Sequence, residues 1–253
     1  MSKKNLSIAI ITKNEEDRLP DCLRSTAFAD EVVVVDSGSE DRTVEIAEGF
    51  GVRTFIHDWQ GYGPQKQFAI DQSQGDWILV LDADERIPVK TAHEIVQIIK
   101  SSPSCSAYSI PRKNYFMNRW IKHAGWWPDR TVRLFRRNSA WMSTDRVHES
   151  LQINDQAAVM RNPIIHYPFR DLRHMMDKMN HYSSAGALDL YDAGVTASIT
   201  KASGRAMWTI LYNYLLRGGF LDGGPGFILA VSDAVNIFFK YVKLIEKHRS
   251  LIK

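Results

Sequence analysis

The stretch Trp77-Ile-Leu-Val-Leu-Asp-Ala-Asp-Glu85 decides the fold. Five apolar residues in a row read as a short strand covered on both faces, because a half-exposed strand would alternate apolar and polar side chains. The run ends on three carboxylates within four residues. Upstream, residues 6–11 and 31–35, the latter with four consecutive valines, read as further buried strands, and residues 53–56 as a fourth. Helix patterns lie between them. One runs through Leu23 with Pro20 in its first turn; one covers residues 43–50, capped by Ser39 or Asp41 and stopped by Gly51. Another covers residues 65–72, and one begins at Pro88 and reaches Lys100. Strands alternating with helices imply an α/β protein with a mostly parallel sheet flanked by helices.

Beyond residue 110 the texture changes. Residues 107–110 and 131–135 read as two more strands, and residues 112–130, rich in Trp, Tyr, Asn and Arg, as a site-forming insertion. From Asp171 the pattern is helical, with at least two helices around a glycine-rich break at residues 218–226.

A chain of 253 residues with 44% hydrophobic and 24% charged side chains is globular rather than disordered. Cys22 and Cys105 are too few for a disulfide framework, which fits a reducing compartment. Residues 1–5 are polar and 6–11 too short for a signal's apolar core, and no run approaches the ~20 apolar residues of a membrane span. The net charge of +3 hides an asymmetry: −7 over residues 1–100 and +10 over 101–253. The acidic first part argues against nucleic acid; the basic remainder invites an anionic partner, phosphate groups or a membrane face.

Ligands of parallel sheets bind beyond the carboxyl ends of the strands, and three ends here carry polar residues. Asp82-Ala83-Asp84-Glu85 is a hard-oxygen site suited to Mg²⁺ or Mn²⁺ shared with a diphosphate. Asp36 follows the valine strand, and Ser37, Gly38 and Ser39 supply backbone N–H groups. A carboxylate there can accept from the imide N–H of a pyrimidine; capping explains Ser39 or Asp41 more readily than Asp36. The first strand end, Thr12-Lys13-Asn14-Glu15-Glu16, has no glycine, which excludes a dinucleotide-binding G-x-G-x-x-G turn. Neither a P-loop nor a G-x-S-x-G elbow occurs.

Together, Ser7-Ile-Ala-Ile-Ile-Thr-Lys-Asn-Glu-Glu16, Val35-Asp-Ser-Gly-Ser-Glu-Asp-Arg-Thr43 and Leu81-Asp-Ala-Asp-Glu85 resemble the three signatures of family 2 inverting glycosyltransferases, which have the GT-A fold and use nucleotide-diphosphate sugars. The resemblance implies that Thr12, Asn14 and Glu15 line the nucleotide pocket and that Asp36 reads the base. It implies that Asp82, Ala83 and Asp84 flank the diphosphate and a divalent metal, with Asp84 the direct ligand and Asp82 beside it. Ser37 and Lys66 join the donor site on the same ground. Gly125-Trp-Trp-Pro-Asp-Arg130, Val132-Arg-Leu-Phe135, Val147-His-Glu149 and His166-Tyr-Pro168 resemble a bacterial subgroup that includes lipopolysaccharide inner-core glucosyltransferases. Residues 1–170 are then expected to be the catalytic domain (1–110 the nucleotide-sugar half, 111–170 the acceptor half), and 171–253 a helical extension.

An inverting transfer needs a base, and Asp145-Arg-Val-His-Glu149 offers candidates. Glu149 is favoured, Asp145 is second, and His148 orients the acceptor or assists the metal; His166 stands open between a packed histidine and a ligand. Arg112, Arg130 and Arg133 are expected to grip a phosphorylated saccharide acceptor, with Trp126 and Trp127 stacking on sugar rings. Asp233, Asn236, Lys240, Lys243 and Lys247 fall on one stripe of an otherwise apolar helix over residues 227–248, which suits an anionic membrane surface as well as a docked helix. The expected enzyme is cytoplasmic and peripheral on the inner face of the membrane, with glucose and UDP favoured for the donor and a lipid-linked saccharide for the acceptor. The rivals are transfer to polyprenyl phosphate and a non-catalytic nucleotide-sugar-binding scaffold.

Overall fold

The computed structural model describes residues 5–143 and 150–250. Two compact units form, Met1–Lys113 with Asp129–His166, and Asn114–Pro128 with Tyr167–Lys253.

The first unit begins with β1 (Leu6–Thr12), α1 (Leu19–Ser25), β2 (Glu31–Asp36), α2 (Thr43–Gly49), β3 (Arg53–Ile56), α3 (Tyr62–Gln72) and β4 (Trp77–Asp82). It continues through β5 (Glu85–Arg86), α4 (Val89–Lys100) and β6 (Ala107–Phe116), whose last three residues belong to the second unit. After β7 (Arg119–Trp120) of the second unit come β8 (Asp129–Arg136), β9 (Ala140–Met142), β10 (Leu151–Ile153), β11 (Ala158–Val159) and β12 (Ile164–His166). The sheet order is β3-β2-β1-β4-β8-β6-β12-β5, with β3, β2, β1 and β4 parallel as the apolar runs require. Successive residues of a strand face opposite sides, and both sides are covered. Ile8, Ile10, Val34, Leu79 and Leu81 pack in one cluster with Leu19 of α1 and Ile95 of α4. Ala9, Val33, Val35, Ile78 and Val80 pack in the other with Ala69 and Ile70 of α3. Full burial of each such aliphatic side chain contributes roughly 1.5–3 kcal/mol; the buried polar exceptions near their amino ends, Ser7 of β1 and Glu31 of β2, bond each other. The register sets Thr12 beside Asp36 and Ile11 beside Asp82, so the three polar strand ends share one edge.

Two strands differ from expectation. β8 spans Asp129–Arg136 and β6 reaches Phe116, because β6 pairs antiparallel with β8 up to Arg112 opposite Asp129 and then with β7 through Tyr115 and Phe116. Of residues 112–130, read as an insertion of the acceptor half, 114–128 instead cluster with the C-terminal helices and open with the β6–β7 hairpin.

In the second unit α5 (Leu172–Asp192) starts where Asp171 accepts the His174 N–H, and α6 (Ile199–Ile210) where Ser198 accepts that of Lys201. α6 runs into a π-helical turn (Leu211–Leu216), then a 3-10 turn (Gly219–Asp222) and α7 (Gly223–Ser250). α7 starts four residues before the expected Phe227, because Gly226 lets its first turn lie on Gly219; a Cβ there would sit 2.0 Å from the Gly219 carbonyl oxygen. Tyr241 and Leu244 of α7 pack with Ala187 of α5 and Ala202 of α6. The polar stripe of α7 is bonded within the unit: Lys243 donates to Asn180, Ser183 and Ser184 on α5, and Asp233 accepts from Asn213. Among the described residues no helix is long and apolar enough to cross a membrane.

Candidate active site

The loops after β1 and β2 are sewn together by short polar side chains. The Asn14 N–H donates to Ser39 Oγ (2.7 Å), and Asn14 Oδ1 accepts the Glu40 N–H (2.8 Å). The Glu15 N–H donates to Thr43 Oγ1 and the Glu16 N–H to Asp41 Oδ2. Asn14 holds φ at 53°, a region Asn enters at lower cost than most residues. Lys13 reaches the Ser37 carbonyl oxygen, and Ser37 Oγ donates to that of Thr12.

Asp36 organises this rim from inside. It is fully buried; one carboxylate oxygen accepts the Gly38 and Ser39 N–H groups, and the other the Thr12 and Ser39 hydroxyls. The sequence argument left Asp36 poorly explained by turn formation; the structure gives it a complete set of four donors from its own loops. Receiving an imide N–H would displace one of them.

At the end of β4, carboxylates and cations interleave. Arg133 Nη2 lies 2.7 Å from both Asp82 Oδ2 and Glu85 Oε1. Lys66 Nζ sits 3.1 Å from Asp82 Oδ1, and Arg112 bridges Glu85 (3.6 Å) and Asp129 (2.8 Å). Burial would raise the Asp82 pKa, but the charges and hydrogen bonds of Arg133 and Lys66 outweigh it and hold the carboxyl well below the usual range. Burial would likewise ease the proton off Arg133; Asp82 and Glu85 reverse that and raise its pKa. Asp84 pairs differently, with Oδ2 3.5 Å from His166 Nε2 and 3.7 Å from Arg18 Nη1. The cause is register: His166 stands opposite Glu85 in the β12–β5 pair. Beneath, Cys22 packs near the Asp82 carbonyl oxygen, and burial pushes its thiol pKa up, which favours the thiol over the thiolate.

Thus Lys66 joins Asp82, and Thr12, Asn14, Glu15, Asp36 and Ser37 share the neighbouring rim. Arg133 is buried under the carboxylates, whereas Arg130 is exposed. Trp126 and Trp127 belong to the second unit; Trp126 packs with Phe116, Ile121, Met175 and Leu229, and Trp127 meets Trp120 edge-on at 5.2 Å. Asp145, His148 and Glu149 lie outside the described residues. Sequence reasoning assigned nothing to Glu85, although it is wholly buried, nor to Arg18; Glu85 could have been noticed as the third acid of its turn.

Asp84 and His166 offer one oxygen and one nitrogen donor near enough to meet at a single cation. Among the described residues no group of three or more His, Cys, Asp or Glu side chains surrounds a metal position. Two protein donors with the remaining positions left to phosphate and water suit Mg²⁺ or Mn²⁺.

A mixed sheet whose parallel strands β3, β2, β1 and β4 carry their polar ends on one edge, flanked by helices, is a GT-A-type architecture. The fold of S. aureus TarS residues 1–349, solved with UDP-GlcNAc, matches it over 97% of this chain and 92% of that one, with a TM-score of 0.51 at 16% identity. The chain belongs to glycosyl transferase family 2, whose model matches residues 7–164. An uncharacterized glycosyltransferase of Rickettsia typhi is 30% identical over 98% of this chain and 90% of its own length. The lipopolysaccharide core biosynthesis glycosyltransferase LpsC of Rhizobium meliloti is 28% identical over 97% and 94%.

Proposed function

We propose that this glycosyltransferase moves a sugar, glucose by preference, from a UDP-sugar to a saccharide hydroxyl of a lipid-linked acceptor such as the lipopolysaccharide inner core, with inversion. The observation that carries the donor half is the turn after β4. Asp82, Asp84 and Glu85, with Asp129, lie there within ion-pair distance of Lys66, Arg112, Arg133 and Arg18, an interleaved array whose cations can turn to a diphosphate. The acceptor half draws on the likeness to LpsC along nearly the whole chain.

In this reading Asp84 and His166 hold a Mg²⁺ or Mn²⁺ ion, which supplies charge neutralisation to the departing diphosphate. Lys66 neutralises a phosphate oxygen, and the rim of Thr12, Asn14, Glu15 and Ser37 holds the nucleoside, with Asp36 shaping that rim. The acceptor oxygen forms its bond to the anomeric carbon as the bond to the phosphate oxygen breaks. Its proton passes to Glu149, or to Asp145, with His148 alongside. Arg112 and Arg130 meet acceptor phosphates. The test is thermal shift against a panel of UDP- and GDP-sugars with Mn²⁺, followed by transfer to a core saccharide and, separately, to polyprenyl phosphate. UDP-glucose with the core saccharide is the expected pair; turnover on polyprenyl phosphate alone transfers the assignment to that acceptor, and no nucleotide sugar binding at all leaves a scaffold.

A further inference from the structure

The second unit leaves large apolar side chains in solvent along one continuous segment. Met207 and Trp208 at the end of α6, Leu215 and Leu216 in the π-helical turn, and Phe220 and Leu221 in the 3-10 turn are each 48–68% exposed. The segment is ordered by its own contacts. Trp208 stacks on Tyr212 at 6.0 Å, Tyr214 meets Phe220 and Phe227 edge-on, and Arg217 lies over the Tyr212 ring at 5.6 Å. Residues 114–128 join it, Arg119 donating to the Leu221 carbonyl oxygen.

Its charge is one-sided. Residues 114–128 and 193–232 contain Arg119, Lys122, Lys201, Arg205 and Arg217, all exposed, against a single acid. That acid, Asp222, is buried and satisfied by the Lys122 and His123 N–H groups and the His123 ring. An exposed apolar segment with Trp and Tyr on it, bordered only by Lys and Arg, matches the interfacial zone of an anionic bilayer. The one acid among these residues is buried, so the charge they present is wholly cationic, which favours an anionic surface.

We infer that the α6–π–3-10 segment docks the protein on an anionic lipid surface, with Leu215, Leu216, Phe220 and Leu221 entering the headgroup boundary and the five cations meeting phosphate groups. This rests on the reading of the acceptor as lipid-linked, and it moves the membrane contact from the polar stripe of α7 to the preceding turns.

The test is co-sedimentation with vesicles of phosphatidylcholine alone and of phosphatidylcholine with phosphatidylglycerol in equal parts. Wild type should pellet with the mixed vesicles and far less with the neutral ones, and added salt should weaken binding. Leu215→Asp/Leu216→Asp should lower the partition at least ~10-fold, and Lys201→Gln/Arg205→Gln should lower it on mixed vesicles only. Phe239→Asp, on the exposed side of α7 beyond the segment, should pellet like wild type. Circular dichroism melts verify folding; should the double aspartate variant misfold, Leu215→Ser/Leu216→Ser takes its place. Wild type that stays in solution with mixed vesicles overturns the inference, as does unchanged pelleting of the folded double variant. A dimer in solution that the leucine substitutions dissociate, without vesicle binding, assigns the segment to a second copy and overturns it too. Transfer from UDP-glucose to the lipid-linked saccharide in detergent, without vesicles, separates the two readings: its absence in wild type sinks the acceptor assignment and leaves the vesicle result standing.

Discussion

Arg133→Met should be among the most damaging substitutions in the first unit. The guanidinium is 5% exposed and Nη2 lies 2.7 Å from Asp82 and from Glu85, whose side chain is fully buried. With charge centres ~4 Å apart and an effective dielectric of ~20, each pair is worth about 4 kcal/mol, ~8 in all. Removing Arg133 also removes its own desolvation cost of several kcal/mol, which leaves a net loss of about 3–5 kcal/mol. Lys66 at 3.1 Å from Asp82 and Arg112 at 3.6 Å from Glu85 keep the loss toward the lower end. Urea unfolding of wild type and variant at neutral pH reads the difference. The Asp82 pKa is depressed from 3.8, so its stabilisation is complete above about pH 4 and lost as pH falls through the depressed value. The penalty of Arg133→Met should therefore shrink in that acid range. Glu85→Gln in the Arg133→Met background should recover part of the loss, since it discharges the orphaned carboxylate. A folded Arg133→Met protein within ~1 kcal/mol of wild type would refute the reasoning.

Asp36→Ala should cost about 2–6 kcal/mol of stability, because the Gly38 and Ser39 N–H groups lose their acceptor at ~1–3 kcal/mol each; Asp36→Asn, which keeps one oxygen, should cost less, as thermal melts would register. Burial raises the Asp233 pKa to about 6 despite the Asn213 hydrogen bond, so the folded state favours the protonated form, and stability falls as pH rises from 3.8 to about 6. Asp233→Asn should accordingly raise the melting temperature above about pH 6 and leave it unchanged near pH 3, the reverse pattern counting against the burial argument. Glu149→Gln should lower transfer by ~10²–10⁴ with donor affinity intact, and a greater loss in Asp145→Asn would reassign the base.

The strand ends were legible because parallel strands buried on both faces are predominantly apolar, so polarity at their carboxyl ends stands out. The Asp82–Glu85 turn was found that way; Lys66, on α3, entered only through the family resemblance. The Asp84–His166 pair was not, because a two-residue antiparallel strand leaves no periodic trace and its register joins positions as distant in sequence as Glu85 and His166. Arg133 read as an acceptor contact because a strand arginine looks the same in sequence whether its neighbours are solvent or buried carboxylates. The stripe on α7 was real as a pattern, yet helical spacing cannot say whether Lys243 faces lipid or the Asn180 carbonyl oxygen. The apolar turns at residues 211–221 escaped notice because a π-helical turn breaks the 3.6-residue period by which a face is recognised.

The central claim is that the turn after β4 binds a nucleotide diphosphate through a cation held by Asp84 and His166. Calorimetric titration of UDP into the full-length protein, with Mn²⁺ and then with EDTA, tests it most directly. The account predicts binding with Mn²⁺ that weakens at least ~10-fold in EDTA, and a similar weakening in Asp84→Asn and His166→Ala with Mn²⁺ present. UDP affinity that is the same in EDTA and in both variants would contradict it.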